Sequence, residues 1–455
     1  MALKPGPTAP LPTFEGYGQG RRRKAALVLV LVWGGTLALH LISWGIWVVL
    51  GLTTLMGWHA VRLLWVRRTP GKDGTSAELG LIDWPSVTLL VAAKNEEAVI
   101  GRVVESLCQL DYPRDAYELW VVDDNSSDRT GTILTELTQR YPQLRVWQRP
   151  AGATGGKSGA LNEILAHTVG DIIGVFDADA QAPPELLRQA VAQFTQPRVG
   201  AVQVRKAIAP GPANLWLRGQ RVEMVLDAFL LQQQRHQVGG VVELRGNGQF
   251  VRRSALVQAG GWNEETITDD LDLSFRLHLD GWDIAFLYEP PVLEEGVTTA
   301  VSLWHQRNRW AEGGYQRYLD YWWPLLHWPW GFWKRFDLCL FCLTQYLLPV
   351  ALLPDWLFAT VRGRPPVLWP VTSVTVLMSL AGLWLGLRQL RPRRPAWQDL
   401  GDALFGTVYM LHWLPVMISM TLRVAVRPKR LRWVKTIHHG SLSQGPSPSA
   451  ETPSA

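Results

Sequence analysis

The run D-I-I-G-V-F-D at 171–177 ends in Asp177-Ala178-Asp179. Two carboxylates at i and i+2 beyond a strand can hold a divalent cation that bridges a diphosphate and neutralises charge on a departing nucleotide. The plain alternative is a solvated strand end. A second acidic strand end, Asp123-Asp124, weighs against it. In Asp123-Asp124-Asn125-Ser126-Ser127-Asp128 a serine or Asp128 caps a helix beginning near Arg129. An acid there can also accept hydrogen bonds from a uracil N–H or a ribose hydroxyl. Ala93-Lys94-Asn95-Glu96-Glu97 ends an earlier strand, which puts Asn95 and Glu96 beside the same base pocket. Gly155-Gly156-Lys157-Ser158 has the look of a P-loop end. Ala151 replaces the first glycine and no suitable strand precedes it, so an ATPase is excluded. Lys157 can still steady a diphosphate; the bland reading is a solvated loop lysine. Thr268-Asp269-Asp270 opens a helix, where the macrodipole favours acids. A carboxylate there can also deprotonate an acceptor hydroxyl, the single base that an in-line, inverting displacement at a sugar carbon needs. In Gln306-Arg307-Asn308-Arg309-Trp310 a guanidinium can pair with a diphosphate and the indole can stack on a sugar. The rival is an interfacial helix with snorkelling arginines.

These residues need a frame that brings them together. V-T-L-L-V-A-A at 87–93, Y-E-L-W-V-V-D at 117–123 and the 171–177 run each read as a buried strand ending in polar residues. Helical stretches from about Glu96 to Leu110 and about Thr130 to Arg140 lie between them. The alternation predicts a parallel sheet with right-handed crossovers. Its ligand edge lies beyond the carboxyl ends of the strands, where Asn95, Asp123, Asp124, Asp177 and Asp179 converge.

The 455 residues are 47% hydrophobic, but long uncharged runs lie toward both ends and the charges gather between about 67 and 320. The run Ala25–Val66 is about twice the ~30 Å thickness of a bilayer core, so two helices with a break near Leu41–Gly45 are expected. It is too long for a cleaved signal peptide. The 24 tryptophans crowd into the terminal thirds and 304–333, as fits a headgroup region. The net charge of +6 sits in clusters such as Arg21–Lys24, Arg67–Arg68, Arg391–Arg394 and Arg427–Lys435 that flank apolar runs. That pattern points to a lipid bilayer and the positive-inside rule, not to nucleic acid. Three cysteines make no disulfide framework and have no metal-ligand spacing, which places the charged domain in the cytosol.

Taken in order, A-A-K-N-E-E, V-V-D-D-N-S-S-D, G-G-K-S-G-A-L-N, D-A-D, T-D-D and Q-R-N-R-W resemble the successive motifs of glycosyltransferase family 2, in its processive-type, membrane-bound branch. The resemblance covers about 85–315. It implies an α/β GT-A (Rossmann-like) cytoplasmic domain flanked by transmembrane helices, an inverting mechanism and Mg2+ or Mn2+. It also assigns roles: Asp124 on the uracil side, Lys157 on the diphosphate, Asp179 as metal ligand supported by Asp177, Asp270 as general base with Asp269 beside it. Gln306, Arg309 and Trp310 would close over donor and acceptor. The family more often has Glu where Asp269 stands. The N-terminal run and compact size are similar to lipid-glucosylating members, which implies UDP-glucose as donor and diacylglycerol as acceptor, rising at the tryptophan-rich surface 304–333.

The expected division is a disordered 1–24, a transmembrane hairpin 25–66, a linker 67–84, the catalytic domain 85–300, interfacial helices 301–335, transmembrane helices 336–421 and a basic, disordered 422–455. Three apolar runs near 337–360, 367–387 and 400–421 would leave the basic C-terminus outside, so either one run is re-entrant or the 321–335 region enters the membrane. A processive polysaccharide synthase would use the same catalytic residues. Against it stand the few C-terminal helices, the lack of a regulatory domain, and V-V-E-L-R-G-N-G-Q where polymer synthases carry a Cys-containing acceptor segment. A catalytically dead scaffold would have lost one or more acids, and all are present.

Overall fold

The computed structural model describes residues 18–66, 84–327, 331–427 and 440. The expected disorder of residues 1–17, nearly all of the linker, and the tail beyond 427 apart from Gly440 lie outside the described residues.

Among the described residues seven strands form one sheet in the order β3-β2-β1-β4-β6-β5-β7. They are β1 (Val87–Ala93), β2 (Tyr117–Asp123), β3 (Leu144–Gln148), β4 (Ile172–Phe176), β5 (Val199–Ile208), β6 (Gln249–Arg252) and β7 (Asp283–Glu294). The first four run parallel, β6 runs antiparallel to β4 and β5, and β5 pairs in parallel with β7. The three expected strands are present. Around them pack α3 (Ile100–Cys108), α4 (Thr130–Arg140), α5 (Gly156–Leu165) and α6 (Leu186–Ala192). Because side chains alternate across a strand, β1 serves two cores. Leu89 and Val91 meet Val103 and Leu107 of α3 on one face, while Leu90 lies in the layer with Leu161 and Ile164 of α5 on the other.

The helix expected from Glu96 starts only at Ile100. The reason lies in the loop: the N–H groups of Asn95, Glu96 and Glu97 donate to Ser126, Thr130 and Asp128 instead of staying free for a helix. Asn95 takes a left-handed φ of 55° there.

After β5 come α7 (Leu215–Leu226), a π-helical stretch Asp227–Gln234 and the short α8 (Arg235–Gln237). Next are α9 (Arg253–Gln258), α10 (Asp269–Leu279) and α11 (Ala300–His327), a single long helix where several interfacial ones were expected. One face of α11 is buried through Arg307, Asn308, Ala311 and Tyr315, whereas Trp304, Trp322 and Trp323 are exposed.

Among the described residues five segments are long and apolar enough to cross a membrane, and they mark a membrane protein. The N-terminal pair is α1 (Arg21–Leu41) and α2 (Gly45–Trp65), broken where expected. A Cβ on Gly45 would lie 2.1 Å from the Leu39 carbonyl oxygen, so the tight turn requires glycine. The C-terminal segments are α12 (Phe332–Cys342) continued by a π turn into α13 (Leu348–Arg362), then α14 (Trp369–Leu390), α15 (Ala396–Tyr409) and α16 (Trp413–Val426).

Contacts with the domain show which helix ends lie beside it. Arg21 bonds Asp320 and the Glu265 carbonyl, and Lys24 the Leu319 carbonyl. Arg62 reaches the Val238 carbonyl, and Asp337 of α12 pairs with Arg235 at 2.8 Å. At the opposite ends His40 meets Asp355, whose carboxylate also caps the N–H groups of Val367 and Leu368 before α14. So α1 and α2, and α12–α13 with α14, are two out-and-back pairs. By contrast α15–α16 touches the domain at its start, middle and end: Asp402 with Arg218, Trp413 Nε1 with Glu223, and Arg423 with Asn308 and Glu312. Several basic groups read as lipid-facing are engaged within the protein. Besides Arg21 and Lys24, Arg391 and Arg394 pair with Asp402.

Candidate active site

Beyond the carboxyl ends of β1, β2 and β4 opens a cavity of about 490 Å3 whose walls include Glu96, Asp124, Lys157, Asp177, Asp179, Asp269, Asp270, Gln306, Arg309 and Trp310. Of the eleven residues that the sequence pointed to for the donor, the metal or catalysis, ten line this cavity and Asn95 does not. Asn95 instead locks the loop beneath, its Oδ1 accepting from the Ser127 N–H at 2.7 Å.

Asp123 is buried and accepts the Ser126 N–H, so it braces the β2 end and leaves Asp124 to face the cavity. Asp124 is held by Arg149 at 2.8 Å and Lys94 at 3.3 Å. Arg149, which sequence reasoning missed, also ties Glu163 and the Thr154 carbonyl, joining β3 to α5.

Lys157, in the first turn of α5, donates to Asp177 Oδ1 at 2.5 Å. Burial works to depress the ammonium, but the charges of Asp177, Asp269 and Asp270 outweigh it and raise its pKa. Asp179 lies deeper, and its Oδ2 accepts the Glu295 N–H at 2.9 Å. Burial first, then the charges of Glu294 and Asp177, hold its carboxyl well above the usual range. Such crowded negative charge is what a cation relieves. Among the described residues no group of three His, Cys, Asp or Glu side chains forms a metal cage. A hard divalent cation needs none when it takes one or two carboxylates with substrate phosphates and waters. The oxygen-only pair Asp179 and Asp177 fits that mode.

Asp270 stands in the first turn of α10, where its Oδ1 accepts the Leu271 N–H at 2.8 Å. Burial first, then Asp269, push its carboxyl up to about 6. The other side is formed by Gly246, at φ 83°, where an added Cβ would come 3.3 Å from Asp270 Oδ2 and 3.9 Å from Asp177 Oδ2. The Asp177 and Asp270 sides of the cavity therefore meet at this glycine. Arg309 sits among Asp177, Asp270 and Asp269, with burial lowering its pKa against their charges.

Behind Arg309, the fully buried Arg307 pairs with Glu223 of α7 at 2.6 Å and bonds Gln306 Oε1 at 2.8 Å. Its guanidinium lies 4.2 Å from the Trp310 ring centroid, and Lys206 covers that ring at 5.4 Å while pairing with Glu294. Glu223, Lys206 and Glu294 carried no signal in the sequence, because each comes from a stretch with no motif-like spacing.

The profile of the family described as glycosyltransferase-like family 2 matches residues 85–313. A β-monoglucosyldiacylglycerol synthase of Trichormus variabilis is 56% identical over 428 residues, 93% of this chain and 90% of that protein. The chain belongs to glycosyltransferase family 2. The enzyme of the same description from Synechocystis is 54% identical over 431 residues, covering 93% of this chain and 90% of its own length. In fold, this glycosyltransferase is similar to a mannosyltransferase from Pyrobaculum calidifontis, solved in complex with GDP-Man and Mn2+. The TM-score is 0.58 at 20% identity, over 87% of this chain and 99% of the other. The α/β GT-A architecture flanked by apolar helices is thereby established for the glycosyltransferase, as its motif order implied.

Proposed function

We propose that this glycosyltransferase moves glucose from UDP-glucose to the free hydroxyl of 1,2-diacylglycerol with inversion, giving β-monoglucosyldiacylglycerol. The observation that carries the reading is 56% identity, over 93% of the chain, to a relative named for that product. Asp124 and Glu96 line the end of the cavity that takes the base, with Asn95 bracing the loop behind them. Lys157 and Arg309 bring positive charge to the diphosphate. Asp179, supported by Asp177, would hold Mg2+ or Mn2+, which would supply positive charge to the diphosphate leaving group. Asp270 is the base: it takes the acceptor hydroxyl proton as that oxygen attacks the anomeric carbon from the face opposite UDP. The bond from that carbon to the diphosphate oxygen breaks, UDP leaves, and the configuration inverts. Asp269 adds the negative charge that keeps Asp270 basic, while Gln306 and Trp310 close the cavity over the sugar.

The same reading places the catalytic domain on the cytoplasmic face of a plasma or thylakoid membrane. Four crossings, α1, α2, α12–α13 and α14, leave both ends of the chain on that face. The segment α15–α16 lies along the interface, in keeping with its three anchors to the domain. The test is incorporation of label from UDP-glucose into lipid by purified protein with Mg2+, read by thin-layer chromatography. One glycolipid that requires added diacylglycerol is expected; label retained at the origin as polymer contradicts the reading.

A further inference from the structure

The catalytic cavity does not end at Asp270. Its walls continue past Trp310 to Leu348 and Leu352 of α13, Thr372 and Val376 of α14, and Met410 and Met417 beside α16. From Phe341 to Leu352 this arm follows about 16 Å of helix axis at ~1.5 Å per residue, leading away from the catalytic domain toward the ends where His40 meets Asp355. The packing explains why a gap exists there. Helix α14 packs on α2, α7 and α15, whereas α16 packs on α1, α11 and α13. The arm is the cleft between these two groups of helices. It is open on its outer side: Val376 is 40% and Leu411 53% exposed, on helices apolar enough to sit in lipid.

The chemistry of the wall narrows the occupant. Thr344, Thr372, Thr375 and Thr407 each donate their hydroxyl to a carbonyl of their own helix. Their hydroxyl protons are thus turned inward, and the other wall residues are mainly aliphatic, Met or aromatic, with Gln345 and Ser379 as the polar exceptions. A chain of sugars would leave most of its hydroxyls without partners along such a wall, while a hydrocarbon chain loses nothing there. We propose that the cleft between α14 and α13/α16 is the acceptor's entry port and acyl-chain site. One acyl chain of a diacylglycerol lies in it and the free hydroxyl points inward to Asp270. Entry is thus beside α14, not at the exposed Trp304, Trp322 and Trp323 of α11. This rests on the lipid-acceptor reading above and adds the route and the residues.

The experiment uses purified protein in phosphatidylglycerol-containing nanodiscs with a diacylglycerol carrying a diazirine midway along one acyl chain. After irradiation the labelled peptides are mapped by mass spectrometry. Label concentrated at least five-fold in 344–352, 372–379 and 410–417, relative to the exposed α1 face of Leu27, Val30 and Leu31, and displaced by unlabelled diacylglycerol, is the expected result. Val376→Trp and Leu411→Trp, both at partly exposed positions that tolerate bulk, each lower the labelling at least five-fold. Leu377→Trp, one residue round the same helix and 61% exposed, does not. Label spread evenly over lipid-facing helices or centred on α11, or yields unchanged in both cleft variants, overturns the proposal. Labelling does not require sugar transfer. A protein that labels in the cleft yet glucosylates no lipid contradicts the functional reading alone, and one that glucosylates diacylglycerol but labels elsewhere contradicts the cleft alone.

Discussion

Among single residues, two carboxylates have different proposed tasks. Asp270→Asn keeps the shape and the Leu271 N–H contact but cannot accept a proton. Transfer should fall by roughly 10²- to 10⁴-fold, the usual contribution of a general base, while calorimetry should show UDP binding little changed. Asp179→Ala acts on the donor side: the Mg2+ dependence of UDP binding should weaken, and unchanged affinity across an Mg2+ titration would remove Asp179 from the metal site. The pH profile separates the base from its surroundings. With its carboxyl pushed up to about 6, Asp270 is protonated and idle below that pH and ionised above it. Acceptor kcat/KM should therefore rise as pH climbs through about 6 and level off beyond. The bend belongs to the Asp269–Asp270 pair, so it should move to lower pH in Asp269→Asn, where the neighbouring charge is gone.

At the scale of elements, the strands are what bring these groups to one edge, and here the sequence was most legible. β1, β2 and β4 are buried on both faces, so each reads as an apolar run, and the acids at their ends mark the ligand edge. The antiparallel β6 was not legible: four residues, Gln249–Arg252, too few to show a period, follow a loop whose path depends on Gly246 and Gly248 at positive φ. The start of α3 was misplaced because its N–H groups are claimed by side chains about 30 residues downstream, a tertiary contact that no local propensity records. Glu223 was invisible for a related reason. Its partner Arg307 is 84 residues away, and only the packing of α7 against α11 and α16 joins them. Glu223→Ala leaves Arg307 buried without its counter-charge, a loss of about 3–5 kcal/mol for such pairs. Thermal unfolding in detergent should register it, together with a higher KM for donor as Trp310 and Gln306 lose their support. Gly246→Ala forces a side chain into left-handed backbone, costing about 1–2 kcal/mol, and crowds Asp270. It should lower kcat more than it weakens UDP binding.

For the whole molecule, composition pointed to a charged domain held between apolar ends, and it left the number of crossings open. Hydropathy counts Ala396–Val426 with the spanning segments. Its contacts to Arg218, Glu223 and Glu312 run back to the domain. Hydropathy sees length and apolarity but not the three anchors that keep this segment beside the active site. The proposed four crossings predict that tags at both ends of the chain are protected from, or exposed to, an impermeant reagent together with the catalytic domain in sealed vesicles. Opposite accessibility of the two tags would contradict that arrangement. Inverting transfer of glucose to diacylglycerol leaves its signature in the product itself. The lipid made from UDP-glucose and diacylglycerol, purified and examined by mass spectrometry and proton NMR, should carry one hexose in β linkage to the glycerol hydroxyl. An α linkage, several hexoses in a chain, or a product that forms equally well without diacylglycerol would contradict it.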